Sequence, residues 1–494
     1  MQINNFLINL KNFFWPIKAK ESRVFITMAL MMLFILLNYA TLRSIKDAFI
    51  INSIAPEALS FLKLYVVLPL AIVTLIIYTK LCNIFSPDNV FYIMGSFFLI
   101  YFVAFTFLMY PKAEYIHLSP EKVTILVAQY PFLQWFIKIV ANWSYSLFYA
   151  FSELWGSVML SLLFWQFANR ITTTKQAKRF YPMFGLIGNM GPLTLPLILS
   201  LLNESVNIVP KNIKYIPVFC FIILFNIIVL LLYRYIIYSI DTTNFLEKDS
   251  DDKVTKKTKS KKLKLSIVDS FKLILTSKYL GMMVILVVSY GISINLVEGI
   301  WKAHLSKVYN SQESYTQFMG NFQALQSSVS IVFMLIGSYI LRNVSWKIAA
   351  ILTPLVILCT GGMFLSLVIF EKYIGNFFAG FLGISTLSLA LFFGTLQNVL
   401  SKSTKYSLFD STKEMAYIPL SPELKSKGKA AVDVLGGRLG KSGGGLIQST
   451  IFLFPGFNFT TAAPIFALIF FLILIIWLFA INEIDTEYQK KISN

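Results

Sequence analysis

Apolar residues along this chain fall in long, almost unbroken runs rather than in alternating or short clusters. The runs lie at roughly 24–43, 61–81, 90–109, 139–167, 183–202, 217–238, 279–300, 321–341, 347–370, 376–400, 430–454 and 464–482. Each is long enough to carry a helix across about 30 Å of hydrocarbon. A helix is the form expected there, because it satisfies its backbone polar groups within one segment. The pattern predicts about twelve spanning helices, divided evenly by Asp241–Lys264 (DTTNFLEKDSDDKVTKKTKSKKLK). That stretch is too polar to bury and reads as a solvent-exposed linker. The expected organisation is a lead-in over 1–22, a six-helix half over 23–240, a charged linker over 241–275, a second half over 276–483 and a tail over 484–494.

The loop cations set the expected orientation. Arg170, Lys175, Lys178 and Arg179 follow the fourth run, the linker follows the sixth, and Lys402, Lys405, Lys413, Lys425, Lys427 and Lys429 follow the tenth. Segments on the other side, such as Pro111–Gln129 and Pro455–Pro464, are poorer in cations. Both termini are therefore expected in the cytoplasm. The fold class expected is an all-α polytopic membrane protein of two six-helix halves, major-facilitator-like. No convincing repeat relates the halves, so hydropathy alone carries that plan.

Composition agrees: the 494 residues are 56% hydrophobic and 14% charged, with a mean hydropathy of +0.69, a membrane profile. Cys82, Cys220 and Cys359 lie far apart in or beside apolar runs, which points to packing and to neither a disulfide framework nor a metal site. The two histidines, His117 and His304, give little basis for His-based catalysis. A net charge of +19 raises the question of nucleic acid. Here the basic residues flank apolar runs, so no nucleic-acid partner is expected, and topology, anionic lipid and an anionic solute explain the charge. Residues 1–22 lack the short apolar core and small-residue cleavage site of a signal peptide.

Charges at membrane depth are expensive, about 2.5–3.5 kcal/mol at the centre on insertion scales, so each needs a reason. In NYATLRSIKDAF, Tyr39, Arg43 and Lys46 share a helical face, and Asp47 is placed to pair with Arg43 at i+4. The fourth run carries Tyr145, Tyr149 and Glu153 as an i, i+4, i+8 stripe. The seventh places Asn295, Glu298 and Lys302 on neighbouring turns. For Arg43, Lys46, Glu298 and Lys302, near helix ends, snorkelling toward the interface is the competing reading. For Glu153 it is a buried structural ion pair. Tyr145, Tyr149, Trp155, Trp165 and Trp301 have rings that stack on bases in other contexts, but core or lipid packing explains them as well.

The segment Gly428–Gln448, GKAAVDVLGGRLGKSGGGLIQ, resembles a phosphate-binding P-loop, but the first glycine of that motif would fall on Leu435. Read as a helix it makes sense. Gly436, Gly440 and Gly444 form an i, i+4, i+8 ridge for a close neighbour, and Arg438 and Lys441 fall on the other side. Cations and carboxylates from both halves thus suggest one central polar site: Lys46, Glu153, Glu298, Lys441, Arg43, Arg438 and Lys302. Such cations suit a polyanion, with phosphate the natural partner of Arg and Lys.

Several long strings carry a resemblance: LLNYATLRSIKDAF, SFLKLYVVLP, ELWGSVMLSLLFWQFANRIT, AKRFYPMFGL, GISINLVEGIWK, NVLSKSTKYSLFDSTKEMAYIPL and GKAAVDVLGGRLGKSGG. In these the sequence resembles the nucleotide transporters of energy-parasitic intracellular bacteria and plastids, the rickettsial-type ADP/ATP carriers. The resemblance spans essentially the whole chain. It implies counter-exchange of nucleotides across a bacterial inner membrane, without a cofactor, metal or catalytic residue, and with transport-critical charges at Lys46, Glu153, Glu298 and Lys441. Arg43, Lys302 and Arg438 rest on the physical reading alone. Phosphate or a proton is a candidate co-ion, and a monomer is the expectation that the fold carries. The family also includes carriers of GTP, CTP, UTP and NAD, so the base stays open. Transport of another phosphorylated anion, a membrane-embedded enzyme and a channel are the competing classes; the enzyme lacks paired histidines or a metal cluster.

Overall fold

The computed structural model describes residues 17–204, 210, 213–239, 277–371, 373, 383–420, 432 and 436–493. The charged linker lies outside these residues, as do Lys425, Lys427, Lys429 and Asp433. Ten helices among the described residues are long and apolar enough to cross a membrane: α1 (Ser22–Ser53), α2 (Ala58–Ile84), α3 (Pro87–Met109), α4 (Trp143–Ile171), α5 (Arg179–Ser200), α6 (Ile216–Tyr238), α7 (Lys278–Val308), α8 (Gln312–Asn343), α9 (Trp346–Ile369) and α12 (Ala463–Lys490). The two remaining apolar runs are represented by α10 (Thr386–Thr404) and α11 (Gly437–Phe452), each preceded by residues outside the described set. The expected helix positions are met within a few residues at most ends.

Sequence chemistry sets several of these ends. Ser277, Ser311, Ser345 and Ser385 each stand in extended backbone one residue before a helix, and each side chain accepts a hydrogen bond from the N–H three residues on. A serine there satisfies a donor that the first turn leaves open. The three cysteines, expected in packing roles, are instead exposed on helix surfaces. A free thiol behaves as a small hydrophobe, so a lipid-facing position suits it as well as a core position.

The chain divides into two compact units, and neither follows the halves. The first comprises residues 1–45, 71–116 and 151–261. Here α3 lies on α6: the Phe91 and Tyr233 rings stack at 3.7 Å, and Gly95 leaves room for Leu230. Tyr233 donates to Asp88 at 2.5 Å, and Arg170 pairs with the same carboxylate. At its N-terminal edge Glu21, 4% exposed, takes Arg179 at 2.7 and 2.8 Å. Burial opposes ionisation of Glu21, but the Arg179 hydrogen bonds, with those from the Lys18 N–H and Gln176, hold its carboxyl below the usual range.

The second unit comprises residues 46–70, 117–150 and 262–494. It joins α7–α12 to the last two turns of α1, the first part of α2 and the start of α4. The glycine ridge expected on α11 is present and packs on α7. A Cβ on Gly291 would lie 2.6 Å from the Gly440 Cα, and one on Gly444 would lie 2.5 Å from the Asn295 Cβ. Only glycine permits backbones that close.

Candidate functional site

A chain of buried charges runs through the second unit. Lys46 and Asp47 end the apolar stretch of α1, and both are 2% exposed. Asp47 takes the Lys46 Nζ at 2.7 Å on one oxygen and the Lys302 Nζ at 2.8 Å on the other. Lys302 also reaches Glu298 one turn earlier on α7, at 2.9 Å, and Lys402 of α10 approaches the same Glu298 oxygen at 3.8 Å. The Lys46 head lies 4.1 Å from the Tyr149 ring centre on α4, a cation over the negative face of the ring. Lys402 lies 5.2 Å from that of Phe322 on α8. Among the described residues, three ammonium groups share two carboxylates in a water-poor site.

The outcome for each expected site residue is uneven. Lys46, Glu298 and Lys302 come together, and burial excludes snorkelling for all three. The pairing of Asp47 with Arg43 is corrected: Asp47 bonds Lys46 and Lys302, while Arg43 lies over the Tyr39 ring at 5.6 Å. Two ammonium groups in a dry site compensate a carboxylate better than one half-buried guanidinium. Arg43 and Glu153 belong to the first unit. There the Tyr39 ring fills the space that Gly156 leaves, about one turn beyond Glu153. Glu153 is half-buried, and Gly156 opens a nine-residue π-helical stretch, Gly156–Phe164, of the wider kind often found at functional positions. Arg438 and Lys441 lie on α11, and their side chains fall outside the described residues.

Lys402 is the residue that the sequence reading misplaced. Read as a loop cation, it sits instead within α10, 7% exposed, and the chain stays helical through Ala416. Ser, Lys and Thr in SKSTKYS lower local hydropathy and mimic a loop. The signal available was the i+4 step from Asn398 to Lys402. Of the five aromatic residues considered for stacking, Tyr149, Trp155 and Trp301 are fully buried, Trp165 is half-buried, and Tyr145, also half-buried, stands edge-on to Phe49 and His117. Among the described residues, no three His, Cys, Asp or Glu side chains gather to hold a metal.

Comparison with known proteins places the whole chain in a family. Residues 1–488 match the profile described as TLC ATP/ADP transporter. The chain belongs to the TLC ATP/ADP transporter family. It is 49% identical over 493 residues to ADP,ATP carrier protein 1 of Rickettsia bellii (strain RML369-C), covering 99% of this chain and 98% of that one. To the same-named protein of Rickettsia typhi (strain ATCC VR-144 / Wilmington) it is 50% identical over 491 residues, with the same coverage. Solved structures share its fold at low identity. A bacterial homologue of the iron transporter ferroportin in an inward-facing state gives a TM-score of 0.57 at 12% identity, covering 96% of this chain and 99% of that one. The xylose transporter XylE from E. coli gives 0.54 at 12%, covering 93% and 95%. The TLC-family chain is thus a multi-pass transporter of major-facilitator-like fold, and not an enzyme.

Proposed function

We propose that this TLC-family transporter exchanges ATP for ADP by alternating access, with the nucleotide phosphates received by its buried ammonium groups. The observation that carries the reading is the cluster of Lys46, Lys302 and Lys402 around Asp47 and Glu298. The two carboxylates hold the ammonium heads in the absence of solute. A nucleotide brings about three to four negative charges near pH 7, and charge-assisted hydrogen bonds to phosphate replace those to carboxylate. Lys441, Arg438 and Arg43 add cations along the solute's path, and Glu153 contacts ribose or base.

Coupling follows from the energetics of burial. Closing an empty site isolates buried ammonium groups from water, whereas a loaded site carries the nucleotide's own counter-charge through the closed state. Return without a nucleotide is therefore slow, which makes transport an exchange. ATP and ADP differ by about one charge, so one-for-one exchange moves charge across the membrane unless phosphate or a proton travels with ADP. We further propose a monomer in the bacterial inner membrane with both termini in the cytoplasm, built as two six-helix halves (23–240 and 276–483) joined through residues 241–275.

The test is uptake of labelled ATP by intact bacteria producing the protein, competed by unlabelled ATP, ADP, GTP, CTP, UTP and NAD. ATP uptake inhibited by ATP and ADP is expected, as is release of preloaded label only when external nucleotide is present. Release at equal speed with and without external nucleotide overturns exchange. Uptake of GTP, CTP or UTP in place of ATP identifies an importer of other nucleotides.

A further inference from the structure

We propose that Gln323 and Gln326 of α8 form the base-reading pole of this site and select adenine. The proposal rests on the ATP/ADP exchange reading and names the residues that choose the base.

α8 and α10 lie side by side and run parallel. Ser330 and Ser403 meet at 3.1 Å between hydroxyl oxygens. Eight residues earlier on each helix, Trp301 of α7 touches both. Its Nε1 donates to the Thr395 hydroxyl at 3.2 Å, and its ring lies 4.9 Å from that of Phe322. The same offset at both levels fixes direction and register. Gln326 and Gln323 stand four and seven residues before Ser330, within about 40° of its direction around α8. They therefore share the face turned toward α10. The Lys402 ammonium, set against Phe322 and Glu298, marks where this face adjoins the ion cluster.

Both glutamines are buried, at 4% and 7% exposure. Gln323 Nε2 and Gln326 Oε1 have no hydrogen-bond partner among the described residues. Buried amides are nearly always satisfied, and leaving one unpaired is costly. Each amide carries a donor and an acceptor; in the orientation described, one presents a donor and the other an acceptor, a pair that adenine complements. Its exocyclic amino group donates to Gln326 Oε1, and a neighbouring ring nitrogen accepts from Gln323 Nε2. In nucleic-acid recognition a single Gln amide supplies the same donor–acceptor pair to adenine. Guanine presents its O6 acceptor where adenine has the amino donor, so it fits only if the amide facing that position is reversed, and on the N1 edge only if both are. A site with partnered polar groups rejects the analogue that leaves them unpaired.

The experiment compares wild type, Gln323→Leu and Gln326→Leu in labelled-ATP uptake, reading the KM for ATP and the competition by ATP against GTP. Wild type is expected to prefer ATP at least tenfold. Each variant raises the ATP KM about tenfold and brings the ATP:GTP ratio toward one, with maximal uptake per folded protein held within about threefold. Gln448→Leu, in a satisfied network elsewhere, lowers the amount of folded protein without moving the ratio. If the leucine variants do not accumulate, the isosteric Gln323→Glu and Gln326→Glu proteins are purified in detergent. ATP and GTP shifts of unfolding temperature then give the same ratio. An unchanged ratio in both variants, or a wild-type preference for GTP, overturns the assignment. If wild type exchanges adenine nucleotides and the ratio holds, only this assignment falls. If no adenine nucleotide enters or competes, the exchange reading fails and takes it down as well.

Discussion

Two buried polar regions of the second unit differ in whether their hydrogen bonds close. Around α11, Gln448 accepts from the Ser60 hydroxyl at 2.8 Å and donates to the Asn295 carbonyl at 2.8 Å. The Asn295 side chain in turn accepts from Lys63 at 3.0 Å and donates to the Gly291 carbonyl at 2.8 Å. Nearby, Glu57 takes the Phe459 N–H at 3.2 Å, and Trp135 donates to the Phe452 carbonyl at 3.1 Å. Each of these groups has found a partner within the fold. In the ion cluster, three ammonium groups share two carboxylates, and the adjoining α8 face holds a donor and an acceptor with no partner among the described residues. A network that closes on itself fixes helices against one another. One that does not close leaves buried polar groups at an energetic cost, and it is there that we propose the solute binds.

The sharpest way to break this contrast is Lys302→Met, which removes the ammonium bonded to both Asp47 and Glu298. Transport is expected to fall more than a hundredfold, and stability by about 3–5 kcal/mol, because a buried carboxylate loses its partner. The double variant Asp47→Asn, Lys302→Met should recover folded protein but not uptake. Recovery of both would make the cluster purely structural. Detergent melting curves and ATP uptake per folded protein read the two effects separately.

On the closed side, Gly440→Leu forces a side chain into the Gly291 contact. Overpacking there should cost about 1–3 kcal/mol, seen as a lower unfolding temperature and less folded protein. The ATP:GTP preference of the surviving protein should be unchanged. A shifted preference would show that the α7–α11 contact also shapes the solute site.

Lys402→Met is expected to be milder than loss of Lys302, since its approach to Glu298 is 3.8 Å rather than 2.9 Å. The KM for ATP should rise about tenfold, equivalent to about 1.4 kcal/mol, with a smaller rise for ADP. Equal rises for both would place Lys402 away from the terminal phosphate.

A separate effect concerns the Glu21–Arg179 ion pair of the first unit. Glu21→Gln should cost about 2 kcal/mol, a hydrogen bond to a charged group. The Glu21 carboxyl is held below its ordinary value in the fold, so its contribution is fully present above that ordinary value and is lost as pH falls through the lowered one. The difference between wild type and Glu21→Gln, measured by unfolding temperature, should therefore shrink toward zero below about pH 4.

Most of the helical plan was legible in the sequence, because in hydrocarbon an apolar run of about 20 residues has one economical form. The glycine ridge was legible for a related reason: three glycines at i, i+4 and i+8 leave one helical face bare wherever the helix packs. Membership of the TLC family was carried by long motifs that need no tertiary information. Spacing along one helix likewise found Glu298 and Lys302, bonded at i and i+4. The partners of Asp47 were not legible, since Arg43 and Lys302 are both sterically reasonable and only the packing of α1 on α7 chooses between them. Lys402 was hidden because a hydropathy window averages over neighbours, and a polar final turn of a buried helix reads as a loop. Helices and family are thus written in local pattern and period. Which ammonium meets which carboxylate, and which buried amides find no partner among the described residues, depends on contacts between residues hundreds of positions apart, and tertiary packing alone decides them.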